Sequence, residues 1–139
     1  MSQADTVELV IPCRPEYVGV ARLAVLGIAS RMPFSYDEVE DVRLAVGEAC
    51  THAVERAGSS DAKIRIVSNI DAHALVIEVS DDISSDSERP VPSEEAQLVA
   101  DGVDTQGLGA LLMEILVDEV KIAAGSAGTT VKLTKYAPE

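Results

Sequence analysis

The chain has 139 residues, of which 47% are hydrophobic and 25% are charged, and its formal net charge is −13. That length fits one compact domain, 1–139, and no apolar run approaches the roughly 20 residues that a membrane-spanning helix needs. With 24 acidic residues against 11 basic ones, we expect no direct contact with nucleic acid, because neutralising phosphates requires clustered Lys and Arg. The acidity fits either simple solubility or a protein partner that has a basic face.

The first residues and the cysteines indicate the compartment. The start of the chain lacks the basic region and the apolar run of a secretory signal, so we expect a soluble, cytoplasmic protein. Cys13 and Cys50 are too few and too far apart in sequence for a disulfide framework or a Cys-Cys metal motif. We expect both to be reduced structural thiols.

One strand and two helices are predicted in the first part of the chain. Apolar residues alternate from Val7 to Ile11, which predicts a short strand. Apolar residues at helical spacing predict an amphipathic helix from Pro15 until Pro33 interrupts it. Ser35, followed three residues later by Glu38, forms a capping-box pattern, so a second helix is predicted to start there and to end at Gly58.

A β-hairpin and a long polar loop are predicted next. The β-rich runs from Ile64 to Ile70 and from Leu75 to Ser80 are separated by a short polar turn, which is typical of an antiparallel hairpin. From Asp82 to Gln106 the sequence is crowded with Ser, Asp, Glu and Pro, which predicts a mobile loop. A short helix over Ser93 to Val99 is compatible with this loop.

The last part of the chain predicts a helix and two closing strands. The helix is expected to open at Gly107, and the strands are expected over Val120 to Ala123 and Thr129 to Tyr136. Together the elements predict an α+β fold, a two-layer sandwich with helices on one face of a mostly antiparallel mixed sheet.

Glu48 and His52 form the first candidate for chemistry. They are four residues apart on the second predicted helix, so both side chains project from the same face. Such a pair fits either a solvated surface contact or two polar groups directed into one site. Arg56 lies on the same stripe of the helix.

The second candidate is the segment Thr105 to Leu112, which contains Gly107, Leu108 and Gly109. A glycine-bearing loop that runs into a helix exposes backbone N–H groups to an anion such as a phosphate. Glycine is also common at plain turns that enter a helix, so the motif by itself leaves both interpretations open.

The order of these features along the chain is more specific than any one of them. A Glu-bearing helix, an aspartate that ends a strand, a long polar loop, a Gly-x-Gly helix start and a threonine-rich last strand follow one another. From Val7 to Tyr136 the sequence resembles the anti-sigma factor serine kinases of the RsbW and SpoIIAB type, which have the GHKL, or histidine-kinase-like, ATP-binding fold. Ala45 to Thr51 is similar to that family's N-box helix, and Met113 to Val120 is similar to the helix of its third motif.

The resemblance implies roles for individual residues in an ATP site. Glu48 would be the general base that accepts the proton of the serine hydroxyl. Asp81 would accept a hydrogen bond from the adenine amino group, and Thr130 would support the same edge of the ring. Gly107, Leu108 and Gly109 would approach the phosphates, while the loop over about 82–106 would be a lid that closes over ATP.

Two positions, His52 and Ile83, depart from the family's pattern in ways that affect the site. His52 replaces the asparagine that supplies an oxygen to Mg²⁺, which prefers oxygen ligands to imidazole. His52 would then contact a phosphate oxygen or a water on the metal, and Arg56 would supply compensating positive charge. Ile83 stands where the adenine motif has glycine, so a β-branched side chain occupies a place that normally permits close backbone approach.

The resemblance also implies protein partners. Arg22 matches an arginine that the family presents to its partners, although a solvated arginine explains it equally well. The implied function is an anti-sigma factor that binds an alternative sigma factor and uses ATP to phosphorylate a serine of an anti-anti-sigma (STAS-type) protein. Family members are homodimers. The alternative is a catalytically silent module that binds the sigma factor or the antagonist without phosphate transfer.

Overall fold

The computed structural model describes residues 5–58, 61–83 and 105–138. Three helices and five strands follow one another in the order β1, α1, α2, β2, β3, α3, β4, β5. Their bounds are β1 Asp5–Pro12, α1 Pro15–Ala29, α2 Tyr36–Ala57, β2 Lys63–Ile70, β3 Ala74–Asp81, α3 Thr105–Leu116, β4 Glu119–Gly125 and β5 Gly128–Tyr136. The strands form one sheet in the order β1-β2-β3-β5-β4, and every pairing among these strands is antiparallel. The α+β prediction is confirmed, and the described strands contribute no parallel pair to it.

Strand alternation places the core on one face of the sheet. In β2 and β3 the residues Ile64, Ile66, Ile77 and Val79 are buried, whereas their neighbours in sequence are half-buried or exposed. Because successive side chains point to opposite faces, these residues share the face on which the helices pack. Burying a side chain of this size stabilises the fold by about 1.5–3 kcal/mol, so this apolar face holds the two layers together.

Helix α1 packs through small side chains. Pro15 occupies the start, where its missing N–H is no loss, and Val18, Ala21, Val25 and Ala29 are buried at helical spacing. The helix ends at Ala29, earlier than the predicted interruption at Pro33, and the hydroxyl of Ser30 donates a hydrogen bond back to the carbonyl of Leu26 at 2.6 Å.

Helix α2 begins at the predicted capping box. The backbone N–H of Glu38 donates to Ser35 Oγ at 3.1 Å, and the backbone N–H of Ser35 donates to Glu38 Oε1 at 2.8 Å. A cap of this kind is worth about 1 kcal/mol. Gly58, with φ of +59°, ends the helix in the left-handed region that glycine adopts without strain.

The hairpin between β2 and β3 is closed by an aspartate. Asp71 Oδ1 accepts hydrogen bonds from the backbone N–H groups of His73 at 2.7 Å and Ala74 at 2.9 Å. These two donors stabilise the carboxylate and lower the pKa of Asp71. The turn therefore has a local cause in the sequence, because Asp commonly bonds backbone groups two and three residues ahead.

The structure tests the predicted start of the third helix but not most of the predicted loop before it. Most of the loop over 82–106, and the short helix considered for Ser93 to Val99, lie outside the described residues. Helix α3 begins at Thr105 rather than at Gly107, so the glycine motif lies within the helix instead of preceding it. None of the helices that the structure describes is long and apolar enough to cross a bilayer.

Both cysteines are free and buried, as predicted for structural thiols. Burial, followed by the nearby charge of Asp81, raises the pKa of Cys13, while Arg56 acts in the opposite direction. Burial raises the pKa of Cys50 to about 12. A raised pKa keeps the thiol protonated, and only the thiolate is a strong nucleophile.

Neither cysteine should react with iodoacetamide in the folded protein at pH 8.5, where an ordinary cysteine is about half ionised. Raised pKa values and burial both reduce the reactive thiolate, so labelling measured by mass spectrometry should stay under about a tenth of that in urea. Rapid labelling of the folded chain at either cysteine would contradict this.

Candidate functional site

Glu48 and His52 lie on the face of α2 that meets α3. Glu48 Oε2 is 3.0 Å from His52 Nε2, and Glu55 Oε1 is 3.7 Å from His52 Nδ1. The His52 side chain is 8% exposed and that of Glu48 is 29% exposed. The first distance is short, but neither ring nitrogen meets the geometry of a hydrogen bond to any residue that the structure describes. His52 is therefore a buried imidazole with a carboxylate beside each ring nitrogen and with Gly109 packed against Nε2.

Gly109 brings α3 directly onto this pair. A Cβ atom added at Gly109 would overlap His52 Nε2, and it would lie 2.7 Å from His52 Cε1 and 2.9 Å from Glu48 Oε2. Only glycine permits this approach of the α3 backbone. Gly107 lies in the first turn of the same helix, where N–H groups have no partner within the helix, and Leu108 is 54% exposed. The two candidates from the sequence thus form one site.

Asp81 ends β3 as a buried carboxylate. Its side chain is 2% exposed, and Oδ1 accepts hydrogen bonds from the backbone N–H of Ile83 at 3.2 Å and of Thr129 at 3.1 Å. Oδ2 accepts a short hydrogen bond from the guanidinium of Arg56 on α2. A buried charge needs such compensation, and here both oxygens receive it.

Gly128 lies very close to Asp81, a contact that was not predicted from the sequence. Its φ is +144°, and an added Cβ would overlap the carbonyl oxygen of Asp81 and lie 3.3 Å from Asp81 Oδ1. Any side chain would push β5 away from the carboxylate. The paired glycines Gly125 and Gly128 around a turn were the available signal, but their role depends on which strand lies beside β5.

The structure does not bring the side chain of Thr130 to Asp81. Thr130 pairs with Ser80 in the β3–β5 register, and their hydroxyl oxygens are 3.1 Å apart. Because successive residues alternate between faces, Ser80 and Thr130 lie on the face opposite Asp81. Thr129 lies on the Asp81 face and contacts it through its backbone N–H, so it replaces Thr130 as the threonine beside the carboxylate. Alternation along both strands is the signal that would have identified it.

Ile83 and Arg22 also have defined places. Ile83 is half-buried and packs against the hydrophobic core, while its N–H donates to Asp81.

Arg22 on α1 lies against α2 at Gly47, where an added Cβ would overlap its Nε and lie 3.1 Å from its Cζ. Arg22 Nε is buried without a hydrogen-bond partner among the described residues. It lines a cleft of about 500 Å³ with Val20 and Leu23, apart from the Glu48 site.

The side chains give only partial support for a metal ion. Within residues 5–58, 61–83 and 105–138, no three His, Cys, Asp or Glu side chains are grouped to hold one. Glu48 is a carboxylate beside Gly109, and Mg²⁺ commonly uses one or two carboxylates together with substrate phosphates and waters. The residues therefore fit only a Mg²⁺ ion that arrives with a nucleotide and takes most of its ligands from phosphates and waters.

Comparison of the sequence with known proteins identifies its family. Residues 11–135 match the family described as the histidine kinase-like ATPase domain. The chain is also similar to the serine-protein kinase RsbW of Bacillus velezensis, with 38% identity over 97% of this chain and 88% of that protein. The corresponding figures are 39%, 97% and 88% for RsbW of Bacillus subtilis, and 36%, 98% and 88% for RsbW of Bacillus thuringiensis.

Both comparisons extend over the helix that carries Glu48, the strand that ends at Asp81 and the α3 start that contacts His52. With its fold, its site and its relatives in agreement, the chain belongs to the histidine kinase-like ATPase domain family and is an RsbW-like member of it.

Proposed function

We propose that this protein is a serine-protein kinase and anti-sigma factor, which binds ATP between α2 and α3 and transfers its γ-phosphoryl group to a serine of an anti-anti-sigma protein. The observation that carries the proposal is the contact of Gly109 with Glu48 and His52, which sets the first two turns of α3 beside a carboxylate base. The RsbW relatives, which are named serine-protein kinases, support the same activity.

Glu48 is the proposed general base. It is partly exposed, so a serine hydroxyl can reach its carboxylate. As the serine oxygen forms a bond to the γ-phosphorus, Glu48 accepts the hydroxyl proton, and the bond to the bridging oxygen breaks with ADP as the leaving group. The N–H groups at the start of α3 would stabilise phosphate charge. Mg²⁺, when bound with ATP, would neutralise further phosphate charge.

His52 is proposed to position Glu48. Its buried ring lies between the carboxylates of Glu48 and Glu55 and is held beneath Gly109, so it restricts where the Glu48 carboxylate can lie. Asp81 is the proposed acceptor for the adenine amino group, with Thr129 beside it.

The proposed partners are a sigma factor and an anti-anti-sigma protein of the STAS type. Arg22, with exposed Val20 and Leu23 on α1, supplies a charged group next to apolar surface, a composition that suits a protein interface. Unmodified antagonist would displace the sigma factor, and phosphorylation of the antagonist would end that displacement. The protein is proposed to be cytoplasmic and homodimeric, with the segment over about 82–106 as the lid of a single domain.

A second candidate function is a silent binding module. Two observations favour it. The imidazole of His52 stands where the resemblance implies an asparagine oxygen for Mg²⁺, and the guanidinium of Arg56 is hydrogen-bonded to the Asp81 carboxylate that would otherwise bind adenine. A stable complex with the antagonist and no phosphate transfer in the presence of Mg²⁺ and ATP would establish this function instead.

Glu48→Gln should lower phosphate transfer by at least about a hundredfold, because the amide cannot accept the serine proton. The rate is measured as transfer of label from ATP to the anti-anti-sigma protein whose gene lies nearest the gene of this kinase. Calorimetry should show that the variant still binds ATP. Glu55→Gln is the matched control, since Glu55 lies on the same helix beside the other ring nitrogen of His52. Equal losses in both variants would contradict a specific role for Glu48.

Gly109→Ala should weaken ATP binding by at least about tenfold, since the new methyl group would overlap His52 and push α3 away from Glu48. Calorimetric titration with ATP measures the change. Gly27→Ala is the control, because a Cβ at Gly27 meets no atom within 4 Å. That control should leave ATP affinity unchanged and stabilise α1 by about 0.5–1 kcal/mol. Unaltered ATP affinity in Gly109→Ala would refute the proposed approach of α3 to the phosphates.

His52→Asn should increase ATP affinity and its dependence on Mg²⁺, because an amide oxygen is a better Mg²⁺ ligand than an imidazole nitrogen. Calorimetry with ATP at a series of Mg²⁺ concentrations measures both quantities. If affinity and metal dependence match those of the unsubstituted protein, His52 does not limit metal binding.

A further inference from the structure

Asp81, the residue proposed to select adenine, has no free face in this structure. Its side chain is 2% exposed, Oδ1 receives the backbone N–H groups of Ile83 and Thr129, and Oδ2 receives the guanidinium of Arg56. An adenine amino group needs an accessible acceptor within hydrogen-bond distance, about 3 Å. A carboxylate can accept about four hydrogen bonds, but a side chain that is 2% exposed offers the base no accessible oxygen until a group that covers it moves.

Arg56 is the donor that can move. The N–H groups of Ile83 and Thr129 belong to the backbone, and Thr129 is fixed in the register of β5. Arg56 reaches Asp81 by a long flexible side chain that is 29% exposed, so its guanidinium gains hydration when it moves into water. After it leaves, Asp81 keeps two backbone donors on Oδ1, which continue to stabilise the carboxylate.

We propose that Arg56 competes with the adenine base for Asp81 Oδ2 and thereby sets the nucleotide affinity of this protein. The inference rests on the proposed function, because it assumes that ATP binds at Asp81. Only molecules in which Arg56 has left Asp81 bind the base, and the apparent dissociation constant equals the intrinsic value divided by the fraction of such molecules. If that fraction is about a tenth, removing the guanidinium strengthens binding about tenfold.

Adenosine is the probe that isolates this effect, because it carries the base without phosphates. Its binding, measured by calorimetry, should be about tenfold tighter in Arg56→Met, which keeps an apolar side chain of similar reach but removes the charge. The affinity for ATP should also rise in Arg56→Met. In the unsubstituted protein, adenosine affinity should rise with sodium chloride, since salt screens the ion pair but not a neutral ligand. In Arg56→Met this salt dependence should disappear.

Arg43→Met is the matched control. Arg43 also lies on α2, is also partly exposed and is also ion-paired, with Glu40 at 2.5 Å, but it does not contact Asp81. It should leave adenosine affinity unchanged. Arg56→Lys is the second variant in case loss of the charge prevents folding, which circular dichroism detects. Lysine keeps the charge but lacks the guanidinium fork, so a smaller gain of about threefold is expected.

The outcomes separate this inference from the proposed function. If the unsubstituted protein binds ATP and the folded Arg56 variants bind adenosine no more tightly, Arg56 does not compete with the base and only the inference fails. Weaker ATP binding with unchanged adenosine binding would assign Arg56 to the phosphates and also overturn it. If neither the unsubstituted protein nor any folded Arg56 variant binds ATP or adenosine, the proposed ATP site itself fails.

Discussion

The buried carboxylate of Asp81 is the constraint on which the site depends. A charge with a 2% exposed side chain must be compensated inside the protein, and its donors come from three places: Arg56 on α2, Ile83 just after β3, and Thr129 on β5. The carboxylate thereby links the helical layer to the two central strands of the sheet. In the proposed nucleotide site the same carboxylate accepts the hydrogen bond of the base, so the stabilising network and the proposed ligand compete for the same oxygen atoms.

Glycine contacts set the positions of the other functional side chains. Gly47 lies against Arg22, Gly109 against His52, and Gly128 against Asp81, and in each case a Cβ atom would overlap the neighbour. Helices α1 and α2 also bury small residues, among them Ala21, Ala45 and Ala49. With only 3% aromatic residues and no Trp, the chain fills its core with aliphatic side chains and close backbone contacts rather than with aromatic rings.

Features with a local cause could be predicted from the sequence. The capping box of Ser35 and Glu38, the hairpin turn at Asp71 and the alternation of β2 and β3 all depend on residues within a few positions of one another. The α+β class followed from these elements, and the Glu48–His52 contact followed from helical spacing.

Features that depend on register or on distant segments could not be predicted in this way. Arg56 and Asp81 are 25 positions apart, and nothing in either segment indicates that α2 crosses the end of β3. The difference between Thr129 and Thr130 is a shift of one residue, which exchanges the two faces of a strand and is decided by the β3–β5 register. The start of α3 at Thr105 was missed because glycine normally marks a helix boundary, whereas here Gly109 provides clearance for His52 inside the helix.

The energetics of the site bear on whether it is catalytic or silent. Replacing a buried ion pair or an unsatisfied buried polar group by apolar residues is often neutral or stabilising, so a module that only binds a protein gains no stability from these groups. This chain nevertheless holds His52 buried with neither ring nitrogen hydrogen-bonded among the described residues, and it keeps Glu48 at its edge. A buried imidazole costs stability unless a hydrogen-bond partner compensates it, so stability alone does not explain its presence here. The same reasoning applies to Arg56, whose pairing with Asp81 compensates a buried charge while the base is absent. Buried polar groups at both His52 and Asp81, which add little net stability, favour the proposed nucleotide site over a surface that merely retains the fold.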